Sequence, residues 1–134
     1  MYSIGLDMVE ISRIEKSMQR PNFLNYILGE KEFEELKLRN FPFQSVAANF
    51  AAKEAFAKSI GSGFKGFKIK EVEVLRESSG KPIFYFTGNA RKIVEENNYD
   101  FSVSLTHTSN LASAVVICFK KKLRRDYTCK NTII

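Results

Sequence analysis

The sequence predicts one α+β domain, with a mainly antiparallel sheet packed on helices that include one long alanine-rich helix. A chain of 134 residues has room for a single domain. Residues 2–9 alternate between apolar and polar side chains, and residues 44–60 are rich in alanine without glycine or proline. Two stretches typical of strands, 100–107 and 111–119, are joined by a short connection, as in a hairpin. Strands and helices do not alternate strictly, so a parallel sheet is not expected.

The N-terminal third begins with a strand that has one apolar face. The alternation places Asp7 at the end of the polar face, opposite four apolar side chains: Tyr2, Ile4, Leu6 and Met8. Residues 11–18 permit a polar helix, and Pro21 then breaks the pattern. Residues 30–38 predict a short acidic helix, which ends before the interruption at 41–43.

The remaining elements follow from period and turn signals. The alanine-rich helix over 44–60 stops at Gly61-Ser62-Gly63. The alternation of 68–76 predicts a strand, which a turn over 78–82 connects to a second short strand at 83–86.

The C-terminal end of the domain is predicted as a helix followed by two strands. The helix covers 89–97, and the first strand, over 100–107, has Phe101, Val103 and Leu105 on the same face as His107. The second strand, 111–119, is nearly all apolar, and we expect both of its faces to be buried.

The net charge of +6 belongs to the end of the chain. Residues 120–134 contain six basic residues and one acidic residue, which leaves fifteen basic and fourteen acidic residues in 1–119. We therefore expect a domain over 1–119 and a basic, solvated tail over 120–134, with no specific nucleic-acid binding. The apolar runs are too short for a membrane helix, and the acids near the N-terminus argue against a signal peptide. Cys118 and Cys129 fit neither a metal motif nor a disulfide framework, so we expect a cytoplasmic protein.

Asp7 and Glu54 are the first candidates for chemistry. Asp7 lies at a strand end two residues after Gly5, where it serves either as a helix-capping acid or as a ligand. Glu54 shares a helix face with Phe50 and Lys58 at a spacing of four residues. A carboxylate in such a stripe needs a positive partner, either Lys58 or a metal ion. Oxygen ligands without nearby His or Cys favour Mg²⁺.

Three further features suit a phosphate-containing substrate. Lys58 can act as a point charge for a phosphate, and the amides of Gly61-Ser62-Gly63 suit an anion, although this turn also serves as a helix cap. His107, the only histidine, stands among hydroxyl residues, where it is either structural or part of a polar pocket. The residues alone therefore indicate Mg²⁺ and a phosphate, with neither a hydrolytic triad nor a Walker motif.

Three blocks of the sequence, in order, resemble the 4′-phosphopantetheinyl transferases of the small holo-[acyl-carrier-protein] synthase group. These blocks are residues 4–14 (IGLDMVEISRI), residues 50–63 (FAAKEAFAKSIGSG) and residues 103–108 (VSLTHT), and the turn over 79–82 (SGKP) also fits. The resemblance covers about residues 3–119. It implies the fold of these enzymes and transfer of phosphopantetheine from coenzyme A to a serine of apo acyl carrier protein, which releases adenosine 3′,5′-bisphosphate.

The resemblance also implies roles for individual residues. Asp7 and Glu54 correspond to the metal ligands of the family, so Mg²⁺ is the expected cofactor. The coenzyme A site is expected to include Lys58, the Gly61-Ser62-Gly63 turn, Lys81, Pro82, His107 and Thr108. Arg13, on the basic early helix, is expected to face the acidic carrier protein. The small members are homotrimers with active sites between subunits.

Two points stay open at the level of the sequence. The serine proton has two candidate acceptors, a water molecule held by the metal ion, which we favour, and His107. Asn49 departs from the basic residue that the family usually carries before the phenylalanine, which would weaken coenzyme A binding or a subunit interface. The alternative function, a non-enzymatic module that binds polyanions through the tail, is disfavoured by the balanced charge of residues 1–119.

Overall fold

The computed structural model describes residues 1–122 and contains five strands and five α-helices in this range. The strands are β1 (Tyr2–Glu10), β2 (Val72–Arg76), β3 (Pro82–Phe86), β4 (Tyr99–His107) and β5 (Leu111–Lys120). The helices are α1 (Ile11–Met18), α2 (Phe23–Ile27), α3 (Glu30–Lys37), α4 (Phe43–Ile60) and α5 (Gly88–Glu96). A 3₁₀ turn at Ile69–Glu71 precedes β2.

The strands form two antiparallel sheets. In the larger sheet β5 lies between β1 and β4, with Asp7 opposite Ala114 and His107 opposite Ala112. The smaller sheet is the β2–β3 hairpin. The α+β class, the antiparallel pairing and the long alanine-rich helix are as predicted, although the strands divide into two sheets.

The long helix α4 packs directly on the larger sheet because small residues line the contact. Ala47, Ala51 and Ala55 on α4 are fully buried. On the strand, a Cβ atom at Gly5 would collide with the carbonyl oxygen of Ala55. Only glycine therefore allows the backbone of β1 to approach the helix this closely. The helix ends at Gly61, whose φ of 80° suits a glycine cap.

The two faces of β1 are used differently from what the alternation suggests. Gly5 and Val9, on the face with fewer apolar residues, are buried toward α4. The apolar face instead points outward, and its side chains are 60–74% exposed: Tyr2, Ile4, Leu6 and Met8. Because α4 needs close backbone contact, it packs on the face that carries glycine. The result is an apolar row at the surface of the single chain.

Three predicted elements differ from the structure. The strand β5 was expected to be buried on both faces, but only alternate residues are buried and the others are half-buried. Residues 69–71 form the 3₁₀ turn instead of the start of a strand, because Glu71 accepts a hydrogen bond from the Lys68 amide and closes the turn. The helix α2, only five residues long, was not predicted.

A buried ion pair connects α3, α4 and β2. The Nζ atom of Lys53 lies 2.6 Å from Oε1 of Glu32, and neither side chain is exposed. Lys53 also donates to the carbonyl of Val72, and Glu32 accepts hydrogen bonds from the Val74 amide and the Asn49 side chain. Burial raises the pKa of Glu32 and lowers that of Lys53, and the attraction between the two charges opposes both shifts.

The structure describes the chain to two residues beyond the last strand. The strand β5 continues to Lys120, one residue beyond the predicted boundary at 119, and the amide of Lys121 donates to the Asn98 carbonyl. The predicted basic tail, from residue 123 onward, lies outside the described residues. Among the described helices, none has the length and hydropathy required to cross a membrane.

Candidate active site

Asp7 and Lys58 are in direct contact where β1 crosses the last turns of α4. Nζ of Lys58 lies 3.1 Å from Oδ1 of Asp7 and donates to the carbonyl of Leu6 at 3.0 Å. The Asp7 side chain is 18% exposed, whereas that of Lys58 is 56% exposed. The aspartate is therefore held in place by the sheet, and the lysine is free to move into solvent. Asp7 is not a helix cap, because Glu10 precedes α1.

Glu54 joins this pair from one turn earlier on α4. It is partly buried, and burial raises the pKa of its carboxyl group above the usual range. The negative charge of Asp7 raises this pKa further, and Lys58 opposes the shift. The two carboxylates are therefore close enough to repel each other, and they share one exposed ammonium group.

The donor set at this point suits a magnesium ion. Burial is the main cause of the raised Glu54 pKa, and the charge of Asp7, from another element, adds to it. A divalent cation bound to both carboxylates would offset both effects. Mg²⁺ commonly binds to one or two carboxylates and completes its shell with water and substrate phosphates. Among residues 1–122 no cluster of three or more His, Cys, Asp or Glu side chains could hold a metal ion. Within the described chain, Asp7 and Glu54 are thus the acidic side chains that this point offers to a cation.

The Gly61-Ser62-Gly63 turn follows Lys58 and caps the helix. Gly61 and Gly63 both have positive φ angles, and their amides donate to the carbonyls of Lys58 and Ala57. These two amides are therefore engaged in the cap and do not point freely at an anion, contrary to the expectation from sequence. The loop is exposed and follows Lys58 closely in the chain. Because its glycines have no side chains, it leaves open space beside the site.

His107 and Thr108 lie at the other end of α4. They line a separate cavity of about 510 Å³ together with Phe43, Gln44 and Ser109. Gln44 and Glu54 are separated by about 15 Å of helix. Within one chain, His107 therefore does not join Asp7 and Glu54.

The other predicted residues are also dispersed. Lys81 and Pro82 border a small cavity beside β4, at the tip of the β2–β3 hairpin. Arg13 is exposed on α1. Asn49 is 1% exposed and bonds to Glu32, Arg76 and the Val74 carbonyl. In this chain position 49 thus faces the buried network and not the carboxylate pair.

A cavity that Glu54 lines was not foreseen from the sequence. This cleft, of about 910 Å³, lies between the α1–α2 segment and residues 64–70, and Glu54 lines it. Its exposed rim carries three cationic side chains, Arg20, Lys68 and Lys70, and we call it the basic cleft. The two lysines at alternate positions after Phe67 are visible in the sequence. The residues on the other side of the cleft lie near residue 20, so the sequence does not show that the two groups meet.

Comparison with known proteins decides the family. A family model described as the 4′-phosphopantetheinyl transferase superfamily matches residues 3–116, which is most of the chain. The chain belongs to this superfamily. It carries all three blocks that suggested the resemblance, so the predicted enzyme class is confirmed.

Individual relatives agree with this assignment. The chain is 44% identical over 115 residues to a holo-[acyl-carrier-protein] synthase of Clostridium botulinum (strain Eklund 17B / Type B), which covers 85% of this chain and 94% of the relative. The holo-[acyl-carrier-protein] synthase structure from Neisseria meningitidis superposes with a TM-score of 0.81 at 30% identity, over 88% of this chain and 98% of that one. The Helicobacter pylori enzyme in complex with coenzyme A gives 0.75 at 28% identity, over 87% and 99%.

Proposed function

We propose that this enzyme transfers 4′-phosphopantetheine from coenzyme A to a serine of apo acyl carrier protein, with Mg²⁺ as cofactor and adenosine 3′,5′-bisphosphate as the second product. The observation that carries the proposal is the convergence of Asp7, Glu54 and Lys58 in a chain similar to a holo-[acyl-carrier-protein] synthase. The similar Helicobacter pylori structure holds coenzyme A. Such a transferase serves fatty acid biosynthesis, and we place it in the cytoplasm.

The reaction exchanges one phosphorus–oxygen bond for another. The serine Oγ bonds to the β-phosphorus of coenzyme A, and the bond from this phosphorus to the bridging oxygen breaks, so that its electron pair leaves with adenosine 3′,5′-bisphosphate. The serine proton passes to a base. Because the transferring group carries spread charge, positioning and electrostatic stabilisation supply most of the rate enhancement.

The residues of this chain have separate tasks in that scheme. Asp7 and Glu54 would hold the cation, which when bound neutralises the diphosphate and stabilises the leaving group. Lys58 exchanges Asp7 for a substrate phosphate, which its exposure permits. The turn at Gly61-Ser62-Gly63 leaves room for the nucleotide beside Lys58.

We further propose a homotrimer in which one subunit supplies Asp7, Glu54 and Lys58 and its neighbour supplies His107 and Thr108 to the coenzyme A site. Two observations support this arrangement. Gln44, which lines the cavity of His107 and Thr108, lies about 15 Å along α4 from Glu54, which lines a different cavity. The outer face of β1, continued by half-buried side chains of β5, presents a large apolar surface for a second copy. Lys81 and Pro82 are assigned to the same substrate site, and Arg13 to contact with the carrier.

The domain assignment stays as predicted from the sequence. We place the transferase domain at residues 1–119, followed by a basic tail over 120–134. Removal of the tail after residue 122 is expected to leave transfer activity intact.

The transfer is tested by weighing the carrier. Apo acyl carrier protein incubated with the enzyme, coenzyme A and Mg²⁺ should gain the mass of one phosphopantetheine group. The variant Glu54→Gln should lose this activity while it stays folded, whereas the control Glu96→Gln, an exposed change on α5, should retain it. No mass gain with the wild-type enzyme and a carrier that another transferase can load would refute the proposal.

The shared site is tested by complementation. Glu54→Gln and His107→Ala subunits are each expected to be inactive, but mixed trimers would contain sites with Glu54 from one subunit and His107 from another. Random mixing should restore about one quarter of wild-type activity, because each site draws two subunits independently. No recovery in mixtures that light scattering shows to be trimeric would exclude a site built in this way.

A further inference from the structure

We propose that Arg76 is a positioning residue for coenzyme A, because it ties the hairpin turn over residues 77–81 to the long helix α4. This turn carries Lys81 and leads directly into Pro82. The inference rests on the proposed function, in which Lys81 and Pro82 belong to the coenzyme A site. It gives a role to a side chain that the sequence pattern did not single out.

Arg76 is the last residue of β2 and contacts two helices. It pairs with Pro82, the first residue of β3, so it lies at the base of the hairpin turn. Its Nη2 atom donates a hydrogen bond to Oδ1 of Asn49 on α4 at 2.8 Å. Its backbone amide donates to Oε1 of Glu35 on α3 at 3.0 Å. The base of the turn is therefore bound to both helices through this one residue.

Asn49 offers the guanidinium a fixed acceptor. Its side chain is buried, and its Nδ2 atom donates to Oε2 of Glu32 at 2.9 Å and to the carbonyl of Val74 at 3.2 Å. Because both of these contacts need the NH₂ group, the amide oxygen is directed toward Arg76. A reversed amide would place its oxygen against the Glu32 carboxylate and its NH₂ group against the guanidinium. The contact between Asn49 and Arg76 thus has one favoured geometry.

The guanidinium of Arg76 is held in this place at an energetic cost. The residue is half-buried, and its Nη1 atom is buried without a hydrogen-bond partner among residues 1–122. Burial lowers the pKa of the Arg76 guanidinium, Glu35 opposes this shift, and the like charge of Arg39 adds to it. An unpaired buried donor opposes folding. Such a break in an otherwise satisfied structure commonly marks a residue with a role beyond stability.

The turn itself is a closed unit. The amide of Glu77 donates to the carbonyl of Lys81, and the amide of Gly80 donates to the carbonyl of Glu77, each at 2.8 Å. Gly80 has a φ of 90°, which glycine adopts without strain. These bonds determine the shape of the turn but not its place in the domain. That place depends on the base of the turn, where Arg76 is bound to Asn49.

Within the described chain, hydrogen bonds between strands do not hold Lys81 and Pro82 against β4. The two residues line a cavity of about 200 Å³ together with residues 100–103 of β4, but β3 and β4 belong to different sheets. The aromatic contact of Phe84 with Phe101 joins these strands two residues after Pro82. A shift of the turn would therefore alter this cavity while the aromatic core stays in place. The bond of Arg76 to Asn49 opposes such a shift.

The test compares Arg76→Met with the control Arg39→Met. Arg76→Met should raise the Kd of coenzyme A in calorimetry with Mg²⁺, and its KM, at least about fivefold, with kcat and the KM for the carrier within about twofold, because contacts remote from the reacting bond affect binding more than chemistry. Arg39→Met removes an exposed positive charge that acts on Arg76 and should match wild type. Arg76→Lys, which can still donate to Asn49, should stay within about twofold of the wild-type Kd.

Hydrogen exchange gives a readout that does not depend on activity. In the enzyme without substrates, Arg76→Met should speed exchange of the Glu77 and Gly80 amides at least about fivefold, because the turn opens more often when its base is released. Exchange of the β5 amides and the Tm should stay close to wild type. Faster exchange throughout the domain would mean general destabilisation and would overturn the positioning role.

The remaining outcomes separate this inference from the proposed function. A coenzyme A Kd within about twofold of wild type in Arg76→Met overturns the inference even if the enzyme loads the carrier normally. Unchanged exchange in the turn, or an equal loss of affinity in Arg39→Met, also overturns it. Faster exchange in the turn together with weaker coenzyme A binding supports it even if wild-type protein transfers no phosphopantetheine, which would refute the proposed function alone.

Discussion

Replacing Lys53 with methionine should destabilise the domain severely. The substitution keeps most of the side-chain volume but removes the cation from a pair in which both side chains are fully buried. Glu32 would keep its hydrogen bonds from Gly29, Asn49 and Val74 but lose its only cation within 4.0 Å among residues 1–122. Removing one partner of such a pair typically costs about 3–5 kcal/mol.

Two further hydrogen bonds of Lys53 would be lost together with the ion pair. The carbonyl of Val72 would lose a hydrogen bond of 2.6 Å, and that of Ile69 a weaker one of 3.4 Å. A domain of this size is stable by about 5–15 kcal/mol, so a loss of about 3–5 kcal/mol is roughly a fifth of the total or more. Urea unfolding followed by circular dichroism, at one fixed protein concentration, measures the change.

A double variant tests the cause of this loss. Glu32→Gln/Lys53→Met removes both charges and keeps one acceptor oxygen, which suffices for Asn49 and the Val74 amide but not also for the Gly29 amide. Because no buried charge is left unpaired, the double variant should still be more stable than Lys53→Met by at least about 1 kcal/mol. Lys37→Met, an exposed change on α3, should alter stability by less than about 0.5 kcal/mol. A loss below about 1 kcal/mol for Lys53→Met, or a double variant less stable than the single one, would refute the reasoning.

Four further predictions concern the carboxylate pair and its support. Gly5→Ala should cost at least about 1–3 kcal/mol in urea unfolding, because its Cβ meets the Ala55 carbonyl, and an unchanged midpoint would contradict that contact. Asp7→Asn should lower the pKa of Glu54 in a carboxyl-carbon NMR titration, because a neighbouring negative charge is removed, and an upward shift would show that the two are not coupled in this way. Lys58→Met should tighten Mg²⁺ binding to the ligand-free protein by roughly fivefold in calorimetry, because Lys58 no longer competes with the metal ion for Asp7. The partly exposed ion pair that is removed is worth up to about 1 kcal/mol. Weaker Mg²⁺ binding would count against this competition. Because the pKa of Glu54 is raised in the folded state, the protonated carboxyl group contributes stability at low pH, and this contribution is lost as pH rises through that pKa. Mg²⁺ should therefore raise the Tm more above this pKa than below it. An equal rise in Tm at both pH values would disprove the link.

Local sequence patterns were sufficient to predict the elements whose formation depends on neighbouring residues. The alanine-rich composition and the glycine stop defined α4 to within one residue, and the spacing of Glu54 and Lys58 placed both on one face. The juxtaposition with Asp7, 51 residues away from Lys58, followed from the resemblance and is present in the structure.

Features that depend on distant contacts were not accessible in the same way. The outward orientation of the apolar face of β1 depends on how closely α4 approaches Gly5, which alternation does not encode. The partner of Lys53 comes from another helix, 21 residues earlier. The short helix α2 is too small for a periodic signal, and the basic cleft combines residues near 20 with residues near 70.

The outward apolar row on β1 has a consequence for the life of the newly made chain. A single copy released from the ribosome carries Tyr2, Ile4, Leu6 and Met8 on a strand that lies at the edge of its sheet within residues 1–122. Until a partner surface covers that apolar row, the folded single chain is prone to bind chaperones and to aggregate. The exposed row therefore has to be covered soon after synthesis if the folded chain is to stay out of aggregates.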